Sequence, residues 1–124
     1  MFSHVMLGSD DLHRSKVFYD ALFASVGGEP GIRDDRGLVY RHNGGSFLIR
    51  PPLNGQPASH GNGTTIGFSL ASPEEVDSWH EAGAAAGGKA IEDPPGVRFN
   101  RFYAAYLLDP DGNKLCGLHS LPGK

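Results

Sequence analysis

Hydrophobic positions in this chain follow two spacings, and the order of the two spacings occurs twice. From His4 the residues alternate between apolar and polar, which predicts a β-strand, and apolar residues then recur every three to four positions, which predicts a helix. The same succession starts again at Thr65. The predicted buried positions are Phe18, Ala21, Leu22 and Val26 in the first helix, and Val76, Trp79, Ala82, Gly83 and Ala86 in the second.

Capping and turn residues mark the ends of both predicted helices. Ser72-Pro73-Glu74-Glu75 is a capping box with proline at the first helical position, and Ser9 or Asp10 is the predicted cap of the first helix. The double glycines Gly27-Gly28 and Gly87-Gly88 end the two helices and lie 60 residues apart. A similar offset at the strand and at the helix end indicates two copies of one structural module.

Short strands follow each predicted helix, and tight turns separate them. They cover roughly residues 37–42 and 46–50 in the first copy, and 102–108 and 113–119 in the second. The pattern is therefore β-α-β-β-β twice, which is an α+β fold. Each copy is too small to bury its helix and sheet alone, so residues 1–124 are predicted to form a single domain. Its parts are module one (about 1–50), a linker (about 51–62) and module two (about 63–124).

The bulk composition limits the classes of function. The 124 residues carry a net charge of −3, so the chain offers no basic stripe for nucleic acid and no polybasic patch for a membrane surface. No apolar run approaches the ~18 residues of a membrane span, and the first residues lack the features of a signal peptide. One cysteine cannot form an internal disulfide, which fits a reducing compartment. We therefore expect a cytoplasmic protein with no nucleic-acid or membrane partner.

Three stretches carry a family resemblance: HVMLGSDDLHRSKVFYDAL, GTTIGFSLASPEEVDSWHEAGAAAGG and YAAYLLDPDGNKL. In this order and spacing they resemble the vicinal oxygen chelate superfamily, which contains glyoxalase I, extradiol dioxygenases and bleomycin-resistance proteins. The resemblance covers nearly the whole chain. It implies two tandem βαβββ modules in a glyoxalase/bleomycin-resistance/dioxygenase-type fold, a cleft between the modules, and a homodimer. Fold does not determine chemistry, so the residues of the site must decide the function.

In that superfamily the metal ligands project inward from the first and last strands of each module. The matching positions here are His4, Thr65, Cys116 and Ile49, and only His4 is of the usual ligand type. His4 and Cys116 are therefore the candidate ligands for a divalent metal (zinc, nickel, manganese or iron), with His60 as a third. A free cysteine is more often a small buried apolar residue, and we favour that interpretation of Cys116, with no cofactor bound.

The predicted cleft has residues suited to a small organic molecule. Apolar side chains supply the floor, Thr65 can make one hydrogen bond, and Arg101 suits a carboxylate or phosphate group. The candidate ligand-binding residues are His4, Met6, Tyr40, Phe47, Ile49, Thr65, Arg101, Tyr103 and Cys116.

Two functional hypotheses follow, and a third needs no ligand. The first is a protein that binds a small organic molecule in the inter-module cleft, its usual metal site degraded. The alternative is a metal-dependent glyoxalase-like lyase or dioxygenase-like enzyme with an atypical site at His4, Cys116 and His60. Two observations argue against the enzyme. A glyoxalase-like lyase needs a carboxylate base, and Ile49 and Cys116 occupy the positions where it is expected. A dioxygenase needs two histidines and a carboxylate as metal ligands, and the matching residues are His4, Thr65 and Cys116. The third hypothesis is a fold kept only for dimerisation or regulation.

Overall fold

A computed structural model describes residues 1–122 and contains eight strands and two helices in that range. The order of the elements repeats as β-α-β-β-β, which confirms the predicted fold class. In chain order they are β1 (Val5–Gly8), α1 (Leu12–Ala24), β2 (Ile32–Arg33), β3 (Leu38–His42), β4 (Gly45–Arg50), β5 (Ile66–Ser69), α2 (Pro73–Ala85), β6 (Lys89–Arg98), β7 (Phe102–Leu108) and β8 (Lys114–Ser120). Neither helix in this part of the chain has the length and apolar character that a membrane-spanning helix needs.

Each module forms its own four-stranded sheet. The strand order is β1-β4-β3-β2 in module one and β5-β8-β7-β6 in module two. The first strand of each module runs parallel to the last, and the remaining neighbours are antiparallel. The first strands β1 and β5 are therefore both edge strands. Helix α1 packs against α2, so the two modules share one apolar interior.

The start of α1 differs from the prediction. Asp11, rather than Ser9 or Asp10, is the N-cap, and its side chain accepts a hydrogen bond from the backbone of the first turn. Ser9 lies one step further out, where its Oγ accepts from the backbone N–H of Asp11 and bonds to Ser15 Oγ at 2.6 Å. Asp10 accepts from the backbone N–H of Ala58 at 2.7 Å and so ties the linker to the helix start. Ser9, Asp10 and Asp11 therefore all form hydrogen bonds near the start of the helix, but only Asp11 caps it.

The start of α2 follows the prediction. Ser72 is the N-cap, and its Oγ accepts from the backbone N–H of Glu75 at 3.1 Å. The Glu75 carboxylate reaches back to the backbone N–H of Ala71 at 2.9 Å. Pro73 occupies the first turn, where its missing N–H costs nothing. The capping box is therefore formed as the sequence indicates, with the glutamate reaching one residue further back.

The two faces of each sheet have different surroundings, and we call them the helix face and the outer face. Residues on the helix face of β3, β4, β7 and β8 pack against α1 and α2. The largest fully buried side chains include Trp79, Tyr19, Tyr40, Phe18, Leu22, Leu38, Ile49, Leu107, Leu115 and Val76. The outer face is directed away from the helices, and it is there that Met6 is 55% exposed.

One close contact sets the distance between α2 and its sheet. Gly117 of β8 lies directly beneath the Trp79 ring, and a Cβ placed on Gly117 would come within 2.7 Å of Trp79 Cε3. Such a separation is too short for two carbon atoms. The indole ring can therefore rest on the strand only because position 117 has no side chain.

A buried polar network joins the turn between β7 and β8 to α1 of the other module. The Tyr19 hydroxyl donates to Asp109 Oδ2 at 2.5 Å, and Asn113 Nδ2 donates to the same oxygen at 2.9 Å. The other oxygen of Asp109 accepts the backbone N–H groups of Asp111 and Asn113. Asp111 in turn forms an ion pair with Arg14 at 3.0 Å. The aspartates of the DPDGN turn therefore shape the turn and also attach module two to module one.

Candidate functional site

Residues predicted at the first strand of each module lie at the edge of the sheets. Strand β1 begins at Val5, so His4 precedes it; the imidazole is exposed, and its Nδ1 lies 2.8 Å from Ser3 Oγ. Thr65 likewise precedes β5 and is exposed. Met6 lies on the outer face as predicted, because its neighbours Val5 and Leu7 pack on the core. The strand is shorter than the alternation suggests, and this leaves His4 outside it.

Cys116 lies on the outer face of β8, beside Tyr106 of β7 and Gly67 of β5. The side chain is 5% exposed, and burial raises the pKa of the thiol, an increase that a hydrogen bond with Tyr106 opposes only in part. At neutral pH Cys116 is therefore a thiol. Within residues 1–122, no group of three or more histidine, cysteine, aspartate and glutamate side chains is arranged to hold a metal ion.

The predicted ligand set does not fit the metal that the fold family implies. Ile49 has no donor atom, Thr65 offers a neutral hydroxyl, and the buried thiol of Cys116 must lose its proton before it can bind a metal. His60, the predicted third ligand, is an exposed linker residue that lies beside Gly112 and Thr65. We therefore derive no chemical step through a metal at these residues.

Three predicted cleft residues lie on the helix face instead. Ile49 is fully buried because it pairs with Leu7, which also packs on the core. Phe47 pairs with both Val5 and Tyr40, so all three share that face. The Tyr40 hydroxyl donates to an α1 side chain, Asp20 Oδ1, at 2.7 Å. The prediction therefore put these three side chains on the wrong face of the sheet. A shift of one residue along a strand is enough to exchange its two faces.

Two further predicted ligand-binding residues, Arg101 and Tyr103, also lie elsewhere. Tyr103 is on the helix face, and its hydroxyl donates to Asp77 Oδ1 of α2 at 2.7 Å. Arg101 precedes β7 in an exposed turn, where its guanidinium lies 5.4 Å from the centre of the Phe102 ring. Arg101 and Tyr103 therefore do not share a strand face, because the strand starts only at Phe102.

The outer side of β1 carries a groove between the modules that the sequence only partly predicts. Two cavities of about 550 and 160 Å³ adjoin one another, since both contact Met6, Leu7, Gly8 and Ser59. The larger one extends under the linker to Leu53. We call the two cavities together the inter-module groove. The remaining residues that line it are Arg36, Arg50, Pro51, Pro52, Asn54 and Pro57 in the larger cavity, and Gly61, Thr64, Ile66, Asn113 and Lys114 in the smaller.

Positive charge lies at both ends of the inter-module groove. Arg50 pairs with Gly8 of β1 and is largely buried; its Nη2 donates to Asp34 at 3.2 Å. Among residues 1–122 the buried Nε of Arg50 has no hydrogen-bond partner. Arg36 lines the same end. At the opposite end Lys114 forms an ion pair with Glu92, which is the main cause of the raised pKa of that lysine.

Sequence reasoning missed the arginines of the groove. Arg50 follows Ile49 directly, so the slip that placed Ile49 on the outer face also placed Arg50 on the helix face. The signal that could have identified it is the pairing of β4 with β1, which puts Arg50 beside Gly8. That pairing joins residues more than 40 positions apart, and alternation within one strand cannot reveal it.

Comparison with known proteins identifies a family whose members resemble this chain in sequence and structure. The model of the Glyoxalase/Bleomycin resistance protein/Dioxygenase superfamily matches residues 1–116. A solved glyoxalase/bleomycin resistance protein from Albidiferax ferrireducens is 55% identical, covers 96% of this chain and 98% of its own, and has a TM-score of 0.92. A search of curated proteins found no match.

More distant solved structures share the architecture. A glyoxalase-related enzyme from Fulvimarina pelagi is 25% identical over 96% of this chain and 88% of its own, with a TM-score of 0.77. The fosfomycin resistance protein FosX from Listeria monocytogenes is 20% identical over 100% of this chain and 94% of its own, with a TM-score of 0.72. At that identity the likeness to FosX concerns the fold alone.

Proposed function

Because this chain belongs to the glyoxalase/bleomycin resistance protein/dioxygenase superfamily, we propose that it binds a small organic anion in the inter-module groove. The observation that supports the proposal is the arginine pair at one end of the groove, joined by an apolar floor to Lys114 at the other. The occupant is a molecule with a carboxylate or phosphonate group attached to an apolar body. The protein acts as a binding protein for that molecule.

The chemistry of Arg50 supports an acidic ligand group. An arginine presents a planar set of donors that matches the two oxygens of a carboxylate or phosphonate. Asp34 occupies one donor of Arg50, and a guanidinium has five N–H donors, so others remain for a ligand. Arg36 supplies a second positive charge within the same cavity. Met6, Leu53 and the prolines of the linker then contact the apolar part of the molecule.

The residues present favour binding over metal-dependent catalysis. The positions that match the ligands of the metal enzymes hold His4, Thr65, Cys116 and Ile49. His4 and Thr65 are exposed just before their strands, Cys116 lies on the outer face, and Ile49 lies in the core. The alternative function, a glyoxalase-like lyase or dioxygenase-like enzyme, would need ligands that this set does not provide. The proposed function therefore uses no metal.

We also propose that the protein is a cytoplasmic homodimer. A row of apolar side chains crosses the outer face of module one from β2 to β1, where successive partners in the sheet are Ile32, Val39, Leu48 and Met6. Ile32 is 66% exposed, and an apolar row of this kind suits burial against a second copy. The single cysteine is buried and unpaired, as expected for a reducing compartment. Sedimentation of the purified protein tests the dimer.

Calorimetric titration with benzoate and phenylphosphonate tests the binding proposal, with neutral benzamide as the uncharged comparison. We expect both anions to bind and benzamide to bind at least about tenfold more weakly, since a charge-assisted hydrogen bond is lost. Arg50→Gln should weaken anion binding to a similar degree. Arg33→Gln is the matched control, because Arg33 is an exposed arginine outside the groove. Equal binding of acid and amide, or equal loss in both variants, would contradict the proposal.

A further inference from the structure

A second cavity, of about 250 Å³, lies between the modules on the side of the helices. Its wall comes from the β3–β4 hairpin and α1 in module one, and from β5 and α2 in module two. It shares one lining residue, Ile66 of β5, with the smaller cavity of the inter-module groove and none with the larger. We call it the helix-side cavity. Tyr40 and Phe47, which the sequence predicts as ligand contacts, line this cavity.

The last turns of the two modules have different lengths. In module two a five-residue turn, residues 109–113, places Asp109 against Tyr19 of α1, whose hydrogen bond it accepts. In module one the turn has only two residues, Asn43 and Gly44. Asn43 and Trp79 both line the helix-side cavity, so the cavity lies beside the shorter turn.

Aromatic rings from both modules form a continuous wall of the helix-side cavity. Phe23 lies 6.0 Å from Phe47 and 5.9 Å from Phe68, measured between ring centres. Phe47 lies 5.6 Å from Phe68, which in turn lies 5.9 Å from Trp79. The ring planes are tilted or perpendicular to one another, so both faces and edges border the space. Such a wall suits an aromatic ring, which prefers tilted and edge-to-face neighbours.

The rim of the cavity is polar and carries no permanent charge. Among the described residues, those lining it include no lysine, arginine, aspartate or glutamate. His42, Asn43, Ser46 and Ser69 supply side chains that can donate or accept hydrogen bonds. A charged ligand group would lose its hydration here without an ionic partner, which is costly. A neutral polar substituent can instead be paired with the rim.

We propose that the helix-side cavity binds a small neutral aromatic molecule with one hydrogen-bonding substituent, such as a phenol. The ring lies against the aromatic wall, and the substituent faces the rim near His42 and Asn43. The volume agrees with a single ring, since a dry protein cavity of about 150 Å³ accepts benzene. Apart from Ile66 this site has different lining residues from the inter-module groove, and it takes a different chemical class of ligand.

Fluorescence of Trp79 provides the test, because this residue is the only tryptophan in the chain and lines the cavity. The probe is p-cresol, titrated against the full-length protein with excitation selective for tryptophan. We expect a saturable change in emission intensity or wavelength. Benzoate, which carries the charge suited to the groove, should leave Trp79 emission unchanged. Arg50→Gln should bind p-cresol with unchanged affinity, so failure of the groove proposal and failure of this one remain distinguishable.

Two phenylalanine substitutions at valines of module one complete the experiment. Val26 is half-buried in the cavity wall just after α1, and Val26→Phe adds a ring that occupies part of the space. Val17 is 51% exposed on α1 outside the cavity, so Val17→Phe makes the same chemical change elsewhere. We expect the affinity for p-cresol to fall at least about tenfold in Val26→Phe and to be unchanged in Val17→Phe.

The outcomes separate a small-molecule site from other occupants. Thermal unfolding of both variants checks that each is folded, and p-cresol should raise the melting temperature of Val17→Phe but not that of Val26→Phe. A linear, unsaturable response of Trp79 would overturn the proposal, as would equal affinity in the two variants. If Trp79 emission instead changes with protein concentration and p-cresol has no effect, a second copy of the chain covers the cavity and the proposal is wrong.

Discussion

The hydroxyl group of Tyr19 on α1 donates a 2.5 Å hydrogen bond to Asp109 Oδ2 in the turn before β8, 90 residues further along the chain. Both groups are buried, and burial followed by the nearby Asp109 charge raises the pKa of Tyr19 well above its ordinary value. The hydroxyl of Tyr19 therefore keeps its proton and remains a hydrogen-bond donor at neutral and acidic pH. This bond connects the helix of one module to the hairpin of the other.

Removal of that hydroxyl should destabilise the protein. In Tyr19→Phe the ring still fills its place, but Asp109 loses one of its donors inside the protein, and the expected loss of unfolding free energy is about 1–3 kcal/mol. Urea unfolding followed by circular dichroism measures it. Tyr103→Phe is the matched control, because its hydroxyl bonds to the exposed carboxylate of Asp77 and its loss should matter less. Equal effects of the two substitutions would argue against a buried brace between modules.

A methyl group on Gly117 should be equally disruptive for a different reason. A Cβ at this position would meet the Trp79 ring at 2.7 Å, and a buried indole cannot move aside without shifting α2. We expect Gly117→Ala to cost about 1–3 kcal/mol of stability, as overpacked cores do.

The control for that substitution is Gly67→Ala on the neighbouring strand. A Cβ on Gly67 meets no atom within 4 Å outside its own chain neighbours. The residue lies exposed on the edge strand β5, where it pairs with Cys116 of β8, so it makes the same chemical change in the same sheet without the contact to Trp79. Its replacement should leave the melting temperature nearly unchanged. A stable Gly117→Ala variant would show that Trp79 does not depend on this contact.

The stability of the protein should also depend on the ionisation of Asp20. Burial raises the pKa of this carboxyl, but hydrogen bonds from Lys16, the Gly31 backbone and Tyr40 outweigh it, so the pKa is lowered from 3.8. A lowered pKa in the folded state means that the stabilisation is present above pH 3.8 and is lost as the pH falls through the folded-state value.

Urea unfolding of wild type and Asp20→Asn between about pH 6 and pH 3 tests this. The wild type should lose more stability than the variant at the acidic end, because the variant cannot titrate at this position. The variant should already be weaker at pH 6, since the amide attracts the Lys16 ammonium less strongly. Parallel curves over the whole range would mean that Asp20 does not contribute to the pH dependence.

Cys116 should behave as an unreactive buried thiol. Because burial raises its pKa above the ordinary 9.0, the thiolate that attacks alkylating reagents is scarce at neutral pH. Iodoacetamide should therefore modify the folded protein slowly, and the rate should rise only in alkaline solution. The urea-unfolded chain gives the reference rate. Rapid modification of the native protein near pH 7 would mean that Cys116 is activated, which would contradict its interpretation as a buried apolar residue.

Local sequence patterns predicted the elements well because the physical causes are local. The capping box at Ser72 and the double glycine after each helix act within a few residues, and both helices are found where they indicate. The alternation around Cys116 also gave the correct face, since Leu115 and Gly117 on either side are buried against the helices. The repeat of the pattern then predicted the architecture.

The predicted site was less accurate because it depends on pairing between distant strands. Ile49 is on the helix face only because it lies beside Leu7, and the same register directs Arg50 to the groove. His4 was assigned to a strand that starts one residue later. Which face of an apolar strand meets the helices is a property of the assembled sheet. The family position alone therefore assigned Ile49 to the wrong face of the sheet.

The unequal hairpins divide two tasks between the halves of an internally duplicated protein. The longer turn with Asp109 supplies the hydrogen bonds that attach the modules, so substitutions there are expected to be selected against. The shorter turn at Asn43 and Gly44 carries no such bond to α2, and residues around it can drift without loosening the attachment. An internal duplication whose two turns differ in length thus leaves one region in which new ligand preferences can evolve while the opposite end preserves the fold.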